Sequence, residues 1–178
     1  MLRIIKVTKY RECKRIQIVG IGEFKISRNP KVLATYALGS CIAIIFYSSE
    51  HKIGALVHAM LPWPRRKIVD SPGKYVSTAI PYVLRKLHEL GVKKNEIEAA
   101  LIGGANVLNL MSTLNIGERN IRKAKEILAY EGVPIVVEDV GGRKSRSVYF
   151  DIEKGIIYVT SPNRESLFDY PKKVFEGV

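Results

Sequence analysis

The sequence has few of the residues from which disulfide-stabilised or metal-stabilised domains are built. It contains two cysteines, Cys13 and Cys41, and three histidines in 178 residues. Two cysteines do not make the disulfide framework of a small secreted domain. The histidines His51, His58 and His88 do not accompany a Cys-x-x-Cys pair, because the chain has none. We therefore predict neither a disulfide framework nor a metal site.

Long apolar runs are also missing. The longest, residues 41–47, has the length of a strand, whereas a membrane-spanning helix needs about 18 or more apolar residues. Residues 1–10 alternate Ile and Val with Lys and Arg and lack the apolar block of a signal peptide. These absences predict a soluble, cytoplasmic protein that does not insert into membranes.

Acidic residues are few relative to basic ones. The chain carries 29 Lys and Arg against 17 Asp and Glu, a formal net charge of +12. Such an excess indicates either an acidic partner or simply well-solvated basic faces, and both interpretations stay open. The basic residues are spread along the chain without the interleaved aromatics of an RNA-binding surface. We therefore expect no nucleic-acid binding. If nucleic acid were bound after all, the affinity would fall steeply with salt.

The apolar periodicity predicts a mixed α/β (α+β) domain. Two long stretches, residues 75–90 and 116–130, show the three- and four-residue steps of helices. Shorter β-like stretches occur at residues 16–26, 31–38, 41–47, 53–61, 97–102, 133–140, 147–152 and 156–161. Because several neighbouring strands are joined by short polar turns, we expect mixed, largely antiparallel sheets packed with flanking helices.

One of these hairpins carries the two residues with the most chemical potential. If Ser49 and Glu50 form a two-residue turn, Cys41 stands directly opposite His58. Opposed residues of an antiparallel pair share a face, with their Cβ atoms about 4.5–5.5 Å apart. A slip of one residue would move His58 to the other face.

A cysteine and a histidine on one face can act as nucleophile and base. The histidine would lower the thiol pKa by forming a thiolate–imidazolium pair. The thiolate would attack a carboxamide, and the resulting thioester would be hydrolysed. The bend at Gly39 and Ser40, before Cys41, could expose the nucleophile and aim backbone N–H groups at the oxyanion. Alternatively, Cys41 is a small buried hydrophobe and His58 an ordinary core histidine.

Two glycines after a predicted strand, Gly103 and Gly104, resemble the start of a phosphate loop. They lack the Gly-Lys-Ser/Thr ending that phosphate binding requires. We predict that they allow close backbone packing or a turn, and that the protein holds no cofactor. The basic residues 65–67 either steer an acidic partner or form a solvated loop.

An ordered set of short segments runs from about residue 20 to residue 150. The segments are 22–23 (GE), 38–41 (LGSC), 58–62 (HAMLP), 72–75 (PGKY), 103–105 (GGA), 115–120 (NIGERN), 138–142 (EDVGG) and 146–147 (RS). Each one is common, but the set, with this spacing between cysteine and histidine, resembles the CheD family of chemoreceptor glutamine deamidases. The resemblance starts after residue 15, so residues 1–15 are predicted to be an extension and residues 16–178 a single deamidase domain.

The resemblance implies a function and a site. It implies hydrolysis of glutamine side chains to glutamate in the cytoplasmic regions of chemotaxis receptors. It also implies a triad of Cys41, His58 and Thr35, in which Thr35 orients the imidazole, on a fold similar to the catalytic domains of deamidating toxins. The phosphatase CheC is implied as a partner, although residues 106–108 (NVL) replace a bulkier aromatic that some relatives use in partner contact. The alternative is a non-catalytic regulatory module that docks CheC or receptors.

Overall fold

The computed structural model describes residues 1–10, 15–29, 31–64, 71–107 and 115–161. Within these ranges the chain forms ten strands and two α-helices. The strands are β1 (Arg3–Lys6), β2 (Ile16–Ile18), β3 (Phe24–Arg28), β4 (Val32–Leu38), β5 (Ile42–Ser48), β6 (Ile53–Ala59), β7 (Glu98–Gly103), β8 (Ile135–Val140), β9 (Arg146–Asp151) and β10 (Ile156–Thr160). The helices are α1 (Val76–Glu89) and α2 (Ile116–Glu131).

The strands form two five-stranded sheets. Sheet A has the order β1-β10-β9-β4-β2, and sheet B has the order β3-β6-β5-β7-β8. Each sheet is mixed: β1–β10, β2–β4 and β7–β8 are parallel, and the other neighbouring pairs are antiparallel. The predicted α+β class with largely antiparallel sheets is confirmed.

The structure has three layers, because sheet B is covered on both faces. Along β5, Ile42, Ile44 and Phe46 belong to the core shared with the two helices. The alternating residues Ala43 and Ile45 belong to the core shared with sheet A. A strand buried on both faces has no polar side to show, which explains why residues 41–47 form one unbroken apolar run.

Local signals fix the ends of the helices. Asn115 caps α2 by accepting a hydrogen bond from the Glu118 N–H at 3.2 Å, and Gly132 ends it in a left-handed conformation with φ of 68°. Pro81 lies within the second turn of α1 without ending the helix. Both helices match their predicted positions to within one residue at each end.

The N-terminal stretch is bound to the sheets. Strand β1 pairs in parallel with β10 at the edge of sheet A. Leu2 is 2% exposed in the core between the sheets, and its N–H donates to Glu98 Oε2 at 2.7 Å. Residues 3–6, predicted to belong to an extension, therefore pair as part of sheet A. Cys13, the basic residues 65–67 and Leu108 lie outside the described residues. No helix in the described ranges is long and apolar enough to span a membrane.

Candidate active site

The β5–β6 hairpin brings Cys41 and His58 to one face, although not in the predicted register. The ladder pairs Ala43 with His58 and Ser48 with Ile53. A four-residue loop therefore replaces the predicted two-residue turn, and the prediction that Cys41 stands directly opposite His58 is wrong. Because the shift is an even number of residues, the face is unchanged. Cys41 lies diagonally across from His58, just before β5 begins.

A second strand supplies the partner of the histidine. Thr35 Oγ1 on β4 lies 2.7 Å from Nδ1 of His58 on β6, so the pair bridges sheets A and B. Both residues are buried, with exposed fractions of 0% and 2%. The predicted placement of Thr35 beside the imidazole is what the geometry shows.

The hydrogen bonds around Thr35 fix the imidazole tautomer. The Thr35 hydroxyl has a single hydrogen, which it donates to the Val19 carbonyl at 2.8 Å. Its oxygen must then accept from the Nδ1–H of His58. This assignment leaves the lone pair on Nε2. That nitrogen is buried and has no hydrogen-bond partner among the described residues, Cys41 included.

The backbone of His58 is also held on both sides. Gly22 N–H donates to the His58 carbonyl at 2.8 Å, and the His58 N–H donates to the Glu23 carbonyl at 2.9 Å. The Glu23 carboxylate accepts from Gly20 N–H at 3.0 Å and so closes its own loop. The 22–23 segment of the sequence set therefore holds the backbone of His58 in place.

The bend that carries Cys41 is anchored through three consecutive carbonyls. The Gly39 carbonyl accepts from Ala105 N–H at 2.8 Å, and the Cys41 carbonyl accepts from Gly104 N–H at 2.7 Å. Between them, the Ser40 carbonyl accepts from the side chain of Asn120 at 3.0 Å. Ser40 is exposed and Cys41 is half-buried. The thiol is thus placed on a fixed backbone at the edge of the core, and oxyanion stabilisation by this bend stays a prediction.

A β-bulge lies between Thr35 and the bend that leads to Cys41. The β4–β9 register shifts between Thr35 and Leu38, and Ala37 has a φ of 54°. The extra residue returns Leu38 to the inner face on which Thr35 lies. The chain then crosses from sheet A to sheet B at Gly39 and Ser40.

The glycine pair packs closely, as predicted. Gly103 has a φ of 105°, and a Cβ there would stand 2.7 Å from the Cys41 carbonyl oxygen. A Cβ on Gly117, in the first turn of α2, would collide with the Gly104 carbonyl. These close approaches set α2 directly against the bend that carries Cys41.

The electrostatics differ from the sequence expectation. Burial raises the pKa of the Cys41 thiol, an effect that a bond with its own backbone partly offsets. Burial lowers the pKa of His58 to about 4, against the opposing effect of the Val19 carbonyl. Both shifts favour the neutral thiol and the neutral imidazole over the predicted thiolate–imidazolium pair.

The other two histidines lie away from Cys41. His51, in the β5–β6 loop at the opposite end of β5, bonds through Nε2 to Glu96 Oε2 at 2.9 Å. Glu50, His51 and Glu96 place ligand-type atoms within 4.8 Å of one another. His88 is exposed on α1.

Two groups at the site were not among the residues predicted from the sequence. The Val19 carbonyl holds the Thr35 hydroxyl, and a backbone acceptor leaves no signature in a sequence. Asn120 is fully buried on α2, and its position in the sequence pattern could have identified it. It stands in the apolar stripe of the helix, where a polar residue is unexpected.

The fold and the site define an α+β protein in which a threonine–histidine pair is buried between two sheets and a cysteine lies at their junction. The family model described as CheD chemotactic sensory transduction matches residues 60–161. The chain therefore belongs to the CheD family.

Curated relatives are similar over most of the chain. Chemoreceptor glutamine deamidase CheD of Thermotoga maritima is 38% identical over 143 residues, which cover 80% of this chain and 90% of that protein. Probable chemoreceptor glutamine deamidase CheD of Pyrococcus abyssi is 41% identical over 140 residues, covering 77% and 86%. Among solved structures, Bacillus licheniformis hypothetical protein YfiH matches with a TM-score of 0.42 and 17% identity, over 76% of this chain and 62% of that one.

Proposed function

We propose that this protein hydrolyses glutamine side chains of chemoreceptor cytoplasmic regions to glutamate, with Cys41 as the nucleophile. The observation that carries the proposal is the buried Thr35–His58 bond of 2.7 Å, which leaves an unprotonated Nε2 on the same face as Cys41. The names of the curated relatives support glutamine as the substrate group. A receptor substrate of this kind places the protein in the cytoplasm.

The first step forms a tetrahedral intermediate, which precedes the thioester. Cys41 Sγ attacks the amide carbon of the substrate while its proton passes to Nε2 of His58. Because burial raises the thiol pKa and lowers the imidazole pKa, the proposed step transfers the proton during the attack and does not start from a thiolate. The oxyanion would be stabilised by N–H groups of the bend at Gly39 and Ser40.

The following steps return the proton and release both products. The imidazolium gives its proton to the departing nitrogen, the C–N bond breaks, and ammonia leaves a thioester on Cys41. Water then attacks the thioester and loses a proton to Nε2 of His58; as the C–S bond breaks, the imidazolium returns this proton to the sulfur, so that the glutamate product and the neutral Cys41 thiol are released. Throughout, the Nδ1–H of His58 stays bonded to Thr35. This hydroxyl keeps the ring oriented but stabilises its positive charge less than a carboxylate would.

The surface around Cys41 suits a protein substrate. Met60 and Val107 are exposed by 42% and 50%, and Val107 packs beside Gly39. The ring of the partly exposed Trp63 is covered by Arg119 at 4.8 Å and Lys123 at 5.6 Å. Exposed apolar side chains next to cations favour an acidic, partly apolar protein surface over free glutamine.

The direct test uses a receptor cytoplasmic fragment. Ammonia release and the mass gain of each converted glutamine are followed with wild-type protein, Cys41→Ser and Cys41→Ala. We expect both variants to lose activity, whereas Cys13→Ser, the matched control at the other cysteine, keeps it. Activity that survives Cys41→Ala would exclude this mechanism.

The non-catalytic alternative has one observation in its favour. In the unliganded site His58 Nε2 makes no hydrogen bond to Cys41, as expected of two residues that are merely packed. A regulatory module of this kind would bind receptors or CheC with an affinity indifferent to Cys41→Ala and would release no ammonia. Binding of CheC is itself an expectation from the family resemblance, to be measured with the same variants.

A further inference from the structure

Asn120 joins the two segments that carry the reacting groups. Its side-chain Nδ2 donates to the Ser40 carbonyl and to the Met60 carbonyl, each at 3.0 Å. Ser40 directly precedes Cys41, and Met60 follows His58 by two residues. The Asn120 side chain is fully buried on α2. It therefore links the segment that enters β5, which carries Cys41, to the segment that leaves β6, which carries His58.

The amide bridges the place where the strand ladder stops. The last ladder pair of β5 and β6 is Ile42 with Ala59. The next positions in that register, Cys41 and Met60, lie beyond both strands. Without ladder hydrogen bonds there, the spacing between the two chain segments depends on other contacts. The two bonds of Asn120 span this opening.

The chemistry of the amide fixes its orientation. Both partners are carbonyl oxygens, so the NH₂ group must face them, and only an amide offers two donors from one atom at this length. The Oδ1 atom of Asn120 is then left buried without a hydrogen-bond partner among the described residues. An unsatisfied oxygen is unfavourable, and asparagine is a poor helix former. The residue is therefore a poor choice for helix stability alone.

We propose that Asn120 is a positioning residue for the deamidation reaction, which holds Cys41 and His58 at the separation needed for proton transfer. This inference rests on the proposed function. Asn120 touches neither substrate nor the reacting atoms, and it acts by fixing the Ser40 and Met60 carbonyls. A small change in that separation slows the chemical step and leaves substrate docking on the exterior surface intact.

The test compares Asn120→Leu, which keeps the number and branching of the side-chain heavy atoms and removes both donors, with Leu128→Ala on the same buried stripe of α2. Leu128→Ala weakens the helix packing without touching the bend. For Asn120→Leu we expect kcat to fall by about 10- to 100-fold with KM nearly unchanged, since misplacement by about 1 Å can cost 100-fold. Leu128→Ala is expected to lower the melting temperature and to keep kcat at temperatures below melting.

Asn120→Asp supplies a second, pH-dependent measurement. Its carboxylate faces two carbonyls and repels them, whereas the protonated acid can donate one bond. The ratio of variant to wild-type kcat is therefore expected to rise as the pH falls. An unchanged kcat in Asn120→Leu, or a loss that merely follows thermal stability as in Leu128→Ala, would overturn the proposal.

A readout without substrate separates this inference from the proposed function. Alkylation of Cys41 by iodoacetamide, in a Cys13→Ser background, reports on the thiol environment alone. We expect Asn120→Leu to change its rate or pH profile and Leu128→Ala to leave both unchanged. If wild-type protein shows no deamidation, the proposed function fails. If alkylation is then also the same in Asn120→Leu and in the Asn120 parent, the positioning role fails as well.

Discussion

Thr35 of sheet A and His58 of sheet B are joined by a 2.7 Å hydrogen bond across the core between the two sheets. The imidazole is held by an uncharged threonine hydroxyl. Many cysteine and serine hydrolases have a carboxylate or an amide at the corresponding place. The same hydroxyl is held in turn by the Val19 carbonyl at 2.8 Å. The importance of these two hydrogen bonds can be tested by substituting Thr35, which makes both of them.

Thr35→Val keeps the shape of the side chain and removes the hydroxyl. It leaves the His58 Nδ1–H and the Val19 carbonyl buried without this partner, which costs about 1–3 kcal/mol for a buried polar group. We expect the free energy of unfolding in urea to fall by that order and kcat to fall by about tenfold, as for the loss of about 1.4 kcal/mol of orientation. Thr35→Ser keeps the hydroxyl and is the control. Equal loss in both variants would assign the effect to packing.

The stability of the protein is expected to fall in mild acid because of His58. Its pKa is lowered to about 4 in the folded protein, below the ordinary value near 6.5. Between these two values the unfolded chain binds a proton that the folded chain does not, so acid favours unfolding. Above about pH 6.5 His58 is neutral in both states and does not lower stability. As the pH falls from 6.5 toward 4, the free energy of unfolding decreases by about 3 kcal/mol.

This acid sensitivity can be assigned by urea unfolding at a series of pH values. His58→Gln is expected to flatten the decline between pH 6.5 and 4 relative to wild-type protein. His88→Gln, at an exposed position on α1, is the control and should keep the wild-type slope. A His58→Gln curve parallel to that of wild type would show that other groups cause the decline.

Alkylation of Cys41 is expected to be slow at neutral pH in the unliganded protein. Burial raises the pKa of the Cys41 thiol, and the thiolate is the reactive form. In a Cys13→Ser background, the iodoacetamide rate should therefore rise only at alkaline pH. Rapid alkylation at pH 6 would instead indicate a standing thiolate–imidazolium pair. The free cysteine in denatured protein gives the reference rate.

Gly103→Ala is expected to damage the site more than a comparable glycine substitution nearby. A side chain at positive φ costs about 1–2 kcal/mol, and at Gly103 the new Cβ also meets the Cys41 carbonyl, 2.7 Å away. Overpacking of this kind adds about 1–3 kcal/mol. Gly141→Ala is the matched control, with a φ of 74° and no atom within 4 Å of its Cβ position. Thermal unfolding and kcat of the two variants check the difference.

The shared face of Cys41 and His58 was predicted from an assumed two-residue turn, and a slip of one residue would have reversed it. The observed register differs from the predicted one by two residues, so the two side chains still lie on the same face. The loop length was not readable, because the segment after Ser48 is polar throughout and does not mark where pairing begins. The structure has Lys52 in a left-handed conformation with φ of 49° at the end of a four-residue loop.

The residues of the site were easier to predict from the sequence than their pKa values. The pairing of Cys41 with His58 came from their spacing and from the family resemblance. The pKa of each group depends on how deeply the second sheet buries it, and that burial is set by long-range packing against residues such as Leu33 and Leu38. A local pattern does not contain this information, so the sequence could not predict that burial shifts both pKa values toward the neutral forms.

The chain crosses from sheet A to sheet B at Gly39 and Ser40. This crossing limits how far the protein could be shortened without losing the site. The hairpin that holds Cys41 and His58 lacks the Thr35 hydroxyl, and the strand that holds Thr35 is fixed by β9 from much later in the chain. No contiguous excised fragment of these strands would carry an oriented base. Transplanting the chemistry into another scaffold would require reproducing the distance between two stacked sheets, not merely a motif on a loop.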